Sequence, residues 1–244
     1  MSDELVDPRL SLINERLKEI DRIIAVASGK GGVGKSLISS ALALLLSRRR
    51  KETGLLDLDF TNPSTHVILA AESNYPLEDK GIVPPKISGV KYFSIVFFTG
   101  DRPSPLRGHD ITNAFIEILA LTRWGKLDYL VIDTPPGLGD VLLDLLKLIE
   151  KISFIIVSTP STLSLGTVKK LVSLLKEVNA PIIGVIENMK RESSPSIRGE
   201  VEAMGVRYLG SIPFDHSVED ALGKPDALLE TPLGKCLNSI ADII

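Results

Sequence analysis

The chain has 244 residues, 44% of them apolar and 24% charged, and a formal net charge of −3. That length suits one large α/β domain or two small ones, and the composition is that of a globular protein with a full core. The slightly acidic balance excludes the basic footprint that nucleic-acid binding normally leaves.

From the N-terminus, the stretch MSDELVDPRL is acidic with no apolar run, so no signal peptide is expected. Leu10, Ile13, Leu17 and Ile20 fall at helical spacing, which predicts an amphipathic helical arm over residues 1–21. Short β-rich apolar runs then recur at 22–27, 53–59, 90–98, 127–133, 152–158 and 181–188, with a shorter one at 206–213. Between most of them lie helical patterns, at 35–50, 108–123, 138–150, 163–178 and 194–204. Near-continuous apolarity in the strands means that both sheet faces are covered. The expected fold is therefore α/β, a doubly wound, mainly parallel sheet with helices on both faces, in a single domain over 22–244.

The basic run at 48–51 follows a long apolar helix and reads as its C-terminus, where the helix dipole favours cations. No apolar run reaches the ~18 residues of a membrane span, so no stable membrane anchor is expected. The one cysteine, Cys236, leaves no internal disulfide and fits a reducing compartment, with the cytoplasm the expected location.

Ligands of such sheets bind at the carboxyl ends of the strands, and three motifs fall there. The first is SGKGGVGKS, between a strand and a helix, in which Gly29 to Ser36 matches G-x-x-x-x-G-K-[ST]. Gly29, Gly31, Gly32 and Gly34 let the backbone fold tightly, so that N–H groups around Lys30 and Val33 can point at phosphate oxygens. Lys35 is expected to reach the β- and γ-phosphates, and the Ser36 hydroxyl to ligate Mg²⁺. The second is LVIDTPPG, which ends a strand in Asp133, a carboxylate placed to hold that metal. The third is GLLDLDF, whose Asp57 and Asp59 suggest one carboxylate beside the metal and one orienting an attacking water. For a single aspartate the plainer reading would be a cap on the next turn.

The two-lysine loop GKGGVGKS resembles the deviant Walker A motif of the MinD/ParA superfamily of dimeric ATPases. Within it, IIAVASGKGGVGKS, GLLDLDFTNPS, PLRG, WGKLDYLVIDTPPGLGD and GVIENM are similar to the Mrp family of ATP-binding iron–sulfur cluster carriers. The resemblance implies an ATPase working as a nucleotide-dependent homodimer, with ATP or ADP and Mg²⁺ as cofactors and iron–sulfur clients or scaffolds as partners. It implies that Lys30 crosses the dimer interface to the partner's phosphates, that Asp59 aligns the water, and that Asp57 and Asp133 support Mg²⁺. Gly137 would lie in the second switch loop. Asn188 would recognise adenine, with Ile212, Pro213, Phe214 and Asp215 around the base; the bare residue reads equally well as a strand-end turn.

Three departures stand out. Mrp-type carriers follow ENM with a C-x-x-C pair, whereas this chain reads ENMKRESSPSIRGEVEAMG, with no cysteine. Clusters of this kind need thiolates, so an iron–sulfur cluster at the usual place is not expected, and Cys236 reads as a buried, inert thiol. Leu37 stands where a threonine usually follows the loop serine, removing one hydroxyl from the α-phosphate side but no backbone N–H. Asn62 replaces the usual glycine and is expected to take the same left-handed geometry. The three histidines, His66, His109 and His216, show no metal-ligand spacing and read as loop residues.

An Mrp-type ATPase that assists iron–sulfur protein assembly without its own cluster is the expected function. The alternatives are a positioning ATPase like MinD or ParA, and a nucleotide sensor whose output is binding alone. Membrane gripping needs a basic amphipathic tail, and TPLGKCLNSIADII is apolar on one side with a single lysine.

Overall fold

The structure is a computed structural model, described here for residues 7–71, 74–100 and 109–244. The PLRG stretch lies outside the described residues. The chain opens with α1 (Pro8–Leu17), β1 (Ile20–Ser28), α2 (Lys35–Arg48), β2 (Thr53–Asp57) and α3 (Thr65–Leu69). Three short strands follow, β3 (Leu77–Glu78), β4 (Ile82–Val83) and β5 (Lys86–Ile87), then β6 (Val90–Ser94), α4 (Val96–Thr99) and α5 (His109–Leu121). Next come β7 (Leu127–Asp133), α6 (Asp140–Leu148), β8 (Ile152–Ser158), α7 (Thr162–Glu177) and β9 (Ile182–Lys190). The chain closes with α8 (Arg198–Ala203), β10 (Tyr208–Pro213), α9 (Ser217–Asp220), α10 (Pro225–Glu230) and α11 (Pro232–Ala241).

Eight strands form one sheet in the order β10-β9-β8-β1-β7-β2-β6-β5. All pairs in it are parallel except β5 with β6. Alternation sorts each strand's side chains onto two cores. Ile23, Ala25 and Ala27 of β1 face a core shared with Phe115, Leu145 and Leu171. Ile24 and Val26 face the opposite one, with Leu42, Leu45 and Leu237. Strands buried on both sides need apolar residues at every position, and the expected doubly wound sheet is the observed one. Arm helix α1 belongs to the first core through Ile13 and Leu17.

Two details differ from the sequence expectation. The run 90–98 is not one strand: β6 stops at Ser94, whose hydroxyl accepts the Val96 N–H at 3.4 Å. The chain then turns helical, which brings the Phe97 ring back against Tyr92 and Phe93 at centroid distances of 5.5 and 6.2 Å. The helix expected over 194–204 covers only Arg198–Ala203, because Ser196 and Ile197 are drawn onto a buried glutamate described below. The basic run ends α2 as expected, and Arg48 and Arg49 pair with Asp226 and Asp242 of the C-terminal helices.

Candidate nucleotide site

The loop between β1 and α2 lines a cleft of about 460 Å3, together with Asp59, Thr61, Asn62 and Pro136. Its glycines do different jobs. Gly32 and Gly34 have φ of 75° and 81°, a conformation that penalises side chains. Gly29 needs no such φ; a Cβ there would lie 2.3 Å from Thr167 Oγ1 of α7. Gly31 meets nothing closer than 3.9 Å. Ser28 Oγ donates to the Lys30 carbonyl at 2.9 Å and Ser28 O accepts from the Gly137 N–H at 2.9 Å, so the turn after β7 is tied to the loop after β1. Lys30, Val33, Ser36 and Leu37 line the same cleft.

Beneath the loop, adjacent strands β2 and β7 end in register, Asp57 opposite Asp133. Both carboxylates are buried. Asp133 accepts from Lys35 Nζ at 2.7 Å, Ser36 Oγ at 2.6 Å and Ser39 Oγ at 2.8 Å. Asp57 accepts from the Asp59 N–H at 3.0 Å and Thr65 Oγ1 at 2.5 Å. Burial, and next the Asp133 carboxylate, push the Asp57 carboxyl up to about 7; the hydrogen bonds and Lys35 oppose this. Two buried carboxylates thus share one lysine, an arrangement that a divalent cation would balance. Ser36 and the two aspartates supply the hard oxygens that Mg²⁺ takes, so the residues fit that ion.

Asp59 both caps and faces the cleft. Its Oδ1 accepts from Thr61 N, Thr61 Oγ1 and Asn62 N at 3.3, 2.7 and 3.1 Å, so the turn-capping reading holds alongside the cleft position. Asn62 is not left-handed, contrary to expectation; its N–H is spent on that carboxylate. The asparagine therefore stands there without positive φ.

Asn188 does not line the cleft. It is buried, and its Nδ2 donates to the Val33 carbonyl at 2.8 Å, directly below Gly34, where a Cβ would collide with it. Ile212 is in the core, and Asp215 accepts the Ser217 N–H at 2.7 Å at the entry to α9. Hydrogen bonding from Ser217, its hydroxyl first and its N–H next, holds the Asp215 carboxyl below the usual range. Pro213 ends β10 opposite Lys190.

The loop after ENM turns on Glu187, which the sequence reading passed over. Its fully buried carboxylate accepts from Tyr208 Oη at 2.6 Å, Ser196 Oγ at 3.2 Å and Ile197 N at 3.3 Å. Lys190 Nζ lies 3.5 Å away. Cys236 is half-buried rather than buried, on α11, and burial pushes its thiol up. His66 is a buried residue of α3, not a loop residue. Among the described residues no group of three or more His, Cys, Asp or Glu is arranged to hold a metal. The residues of the 190–205 segment do not fit a thiolate-held cluster.

The family model described as the NUBPL iron-transfer P-loop NTPase, of the ParA group, matches residues 19–244. The chain belongs to that family. It is 38% identical over 251 residues to the iron-sulfur cluster carrier protein of Saccharolobus solfataricus, covering 94% of this chain and 85% of the relative. It is 36% identical over 250 residues to the iron-sulfur cluster carrier protein of Aquifex aeolicus, covering 94% and 69%. Among solved structures it is similar to the nucleotide-binding protein in complex with ADP from Archaeoglobus fulgidus, with a TM-score of 0.79 and 29% identity, covering 92% of this chain and 95% of that one. The fold is also that of the Pyrococcus furiosus cell division ATPase MinD, with a TM-score of 0.69 over 91% of this chain and 98% of that one, at 21% identity. This NUBPL-type P-loop NTPase has, among its described residues, no helix long and apolar enough to cross a membrane.

Proposed function

We propose that this NUBPL-type P-loop NTPase binds and hydrolyses Mg²⁺–ATP as a nucleotide-dependent homodimer, and that it assists iron–sulfur protein assembly without holding a cluster of its own. The observation that carries the nucleotide reading is the juxtaposition of Lys35, Ser36, Asp133 and Asp57 under a glycine-rich loop at a helix N-terminus. In this reading the loop N–H groups from Gly29 to Leu37 and Lys35 hold the phosphates. Ser36, Asp133 and Asp57 hold Mg²⁺, which when bound supplies charge neutralisation at the phosphates. Asp59 orients the attacking water from the cleft wall. Lys30, on the rim, neutralises the partner's transferring phosphate, and Gly137 lets the second switch loop close. Asn188 stands beneath Gly34, and it is assigned to the base side together with Pro213 and Asp215, at and just beyond the end of the neighbouring strand β10.

The assembly role is supported by the names of relatives at 33–38% identity, whereas the MinD likeness at 21% concerns the fold. The positioning-ATPase alternative is therefore not favoured. The test is Mg²⁺-dependent phosphate release from ATP, with sedimentation in the presence of ATP or ADP. Turnover and an ATP-dependent dimer are expected. A protein that neither binds nor hydrolyses ATP refutes the reading.

A further inference from the structure

Behind Asp57 lies a chain of hydroxyl groups that neither the loop motif nor the proposed roles above require. Thr65, first residue of α3, is fully buried, as is Tyr92 of β6. Thr65 Oγ1 stands 2.5 Å from Asp57 Oδ2 and 2.8 Å from Tyr92 Oη. A threonine hydroxyl has one proton to give. Facing a carboxylate, it donates that proton to Asp57 and must accept from Tyr92. Burial pushes the Tyr92 phenol up, so it keeps its proton and serves as that donor.

The other Asp57 oxygen accepts the Asp59 N–H at 3.0 Å. One carboxylate thus ties down both ends of the loop between β2 and α3: Asp59 through one oxygen, Thr65 through the other. The water-facing Asp59 sits inside that closed ring and is itself braced by Thr61 and Asn62.

We propose that Thr65 is a positioning residue for Asp57, held in place by Tyr92, so that the Tyr92–Thr65–Asp57 chain orients the metal-side carboxylate and closes the loop that carries Asp59. The proposal rests on the reading of Asp57 as a Mg²⁺-supporting group. Residues that orient metal-supporting carboxylates through hydrogen bonds typically govern metal affinity by ~10–100-fold.

The experiment measures binding of a fluorescent ADP analogue to the full chain, in EDTA and across a Mg²⁺ titration, together with kcat and KM for ATP. Thr65→Val keeps the shape and removes the hydroxyl. It should leave affinity in EDTA within about twofold, raise the Mg²⁺ midpoint by ~10-fold or more and lower kcat more than it raises KM. Thr65→Ser, which restores the donor, should recover the wild-type midpoint. Tyr92→Phe keeps the ring contacts and should shift the midpoint in the same direction by less; it decides the matter if Thr65→Val does not fold. Wild-type Mg²⁺ midpoints in both Thr65→Val and Tyr92→Phe would overturn the proposal while leaving the nucleotide reading intact. A wild-type protein whose nucleotide affinity ignores Mg²⁺ would instead sink the assignment of Asp57, and the proposal with it.

Discussion

Lys35 Nζ lies 2.7 Å from Asp133 Oδ1, both side chains out of solvent, so the second lysine of the glycine-rich loop is held by the carboxylate at the end of a central strand. The same carboxylate takes the Ser36 and Ser39 hydroxyls. Lysine, loop-serine hydroxyl and acidic strand end thus meet at one carboxylate. In the proposed reading, a phosphate in the loop would compete with Asp133 for the ammonium, and the accompanying cation would replace the charge that Asp133 loses.

Lys35→Ala should abolish nucleotide binding, since the loop loses its charged contact to the phosphates. It should also lower stability, because Asp57 and Asp133 are left buried without their shared cation. Removing one partner of a buried pair costs about 3–5 kcal/mol. Titration calorimetry with ATP and thermal unfolding check the two effects; unchanged ATP affinity would show that the loop is not the phosphate site.

Lys30→Ala should behave differently. Lys30 lies on the cleft rim and makes no ion pair among the described residues, so its loss should leave ATP binding and folding largely intact. As a cationic finger acting on the partner's nucleotide it should matter for rate alone, by ~10³–10⁵. Phosphate release per dimer is the measurement, and an undiminished turnover number would remove the reason for a second lysine.

The contrast between these lysines shows what the residue string could convey. Loop, flanking strand and helix are contiguous, so their spacing states the site directly. Asp57 and Asp133 were legible because strand ends in a parallel sheet share one edge. Thr65 and Tyr92 were not: they lie 27 residues apart, and nothing local marks either as polar-buried. Gly29 likewise owes its identity to Thr167, and Glu187 its burial to Tyr208, both remote contacts. The helical turn after Ser94 was missed because its cause, rings folding back on Tyr92 and Phe93, is tertiary.

Asp57 predicts a pH dependence. Burial and the neighbouring Asp133 carboxylate push its carboxyl up to about 7 from the ordinary aspartate value of 3.8. Between those values the folded protein keeps a proton that the unfolded chain has released, so stability falls as pH rises through that window and levels above it. Asp57→Asn removes this dependence. In EDTA, the thermal midpoint of Asp57→Asn relative to wild type should therefore climb as pH is raised from about 5 to about 8. Mg²⁺ with nucleotide should reverse the wild-type loss, while the variant, which keeps Lys35, Ser36 and Asp133, should gain stability by an amount that varies little with pH across that window. Parallel midpoint curves for the two proteins would show that Asp57 carries no such proton.

A four-iron cluster on a two-fold axis takes about four thiolates, two from each chain. This chain has one cysteine, so a symmetric dimer offers two, both on α11. The segment 190–205 contributes Glu192, Glu200 and Glu202, hard oxygen ligands poorly matched to iron sulfide. Glu202 already pairs with Arg198 at 2.8 Å, and the middle of the segment is fastened to Glu187 through Ser196 and Ile197. The Cys236 thiol is pushed up by burial, which disfavours the thiolate that binds iron. Anaerobic reconstitution with iron and sulfide should therefore give no stable cluster and no charge-transfer absorbance, while ATP binding stays intact. About four irons per dimer, lost in Cys236→Ser, would overturn this and make the protein a carrier through its last helix.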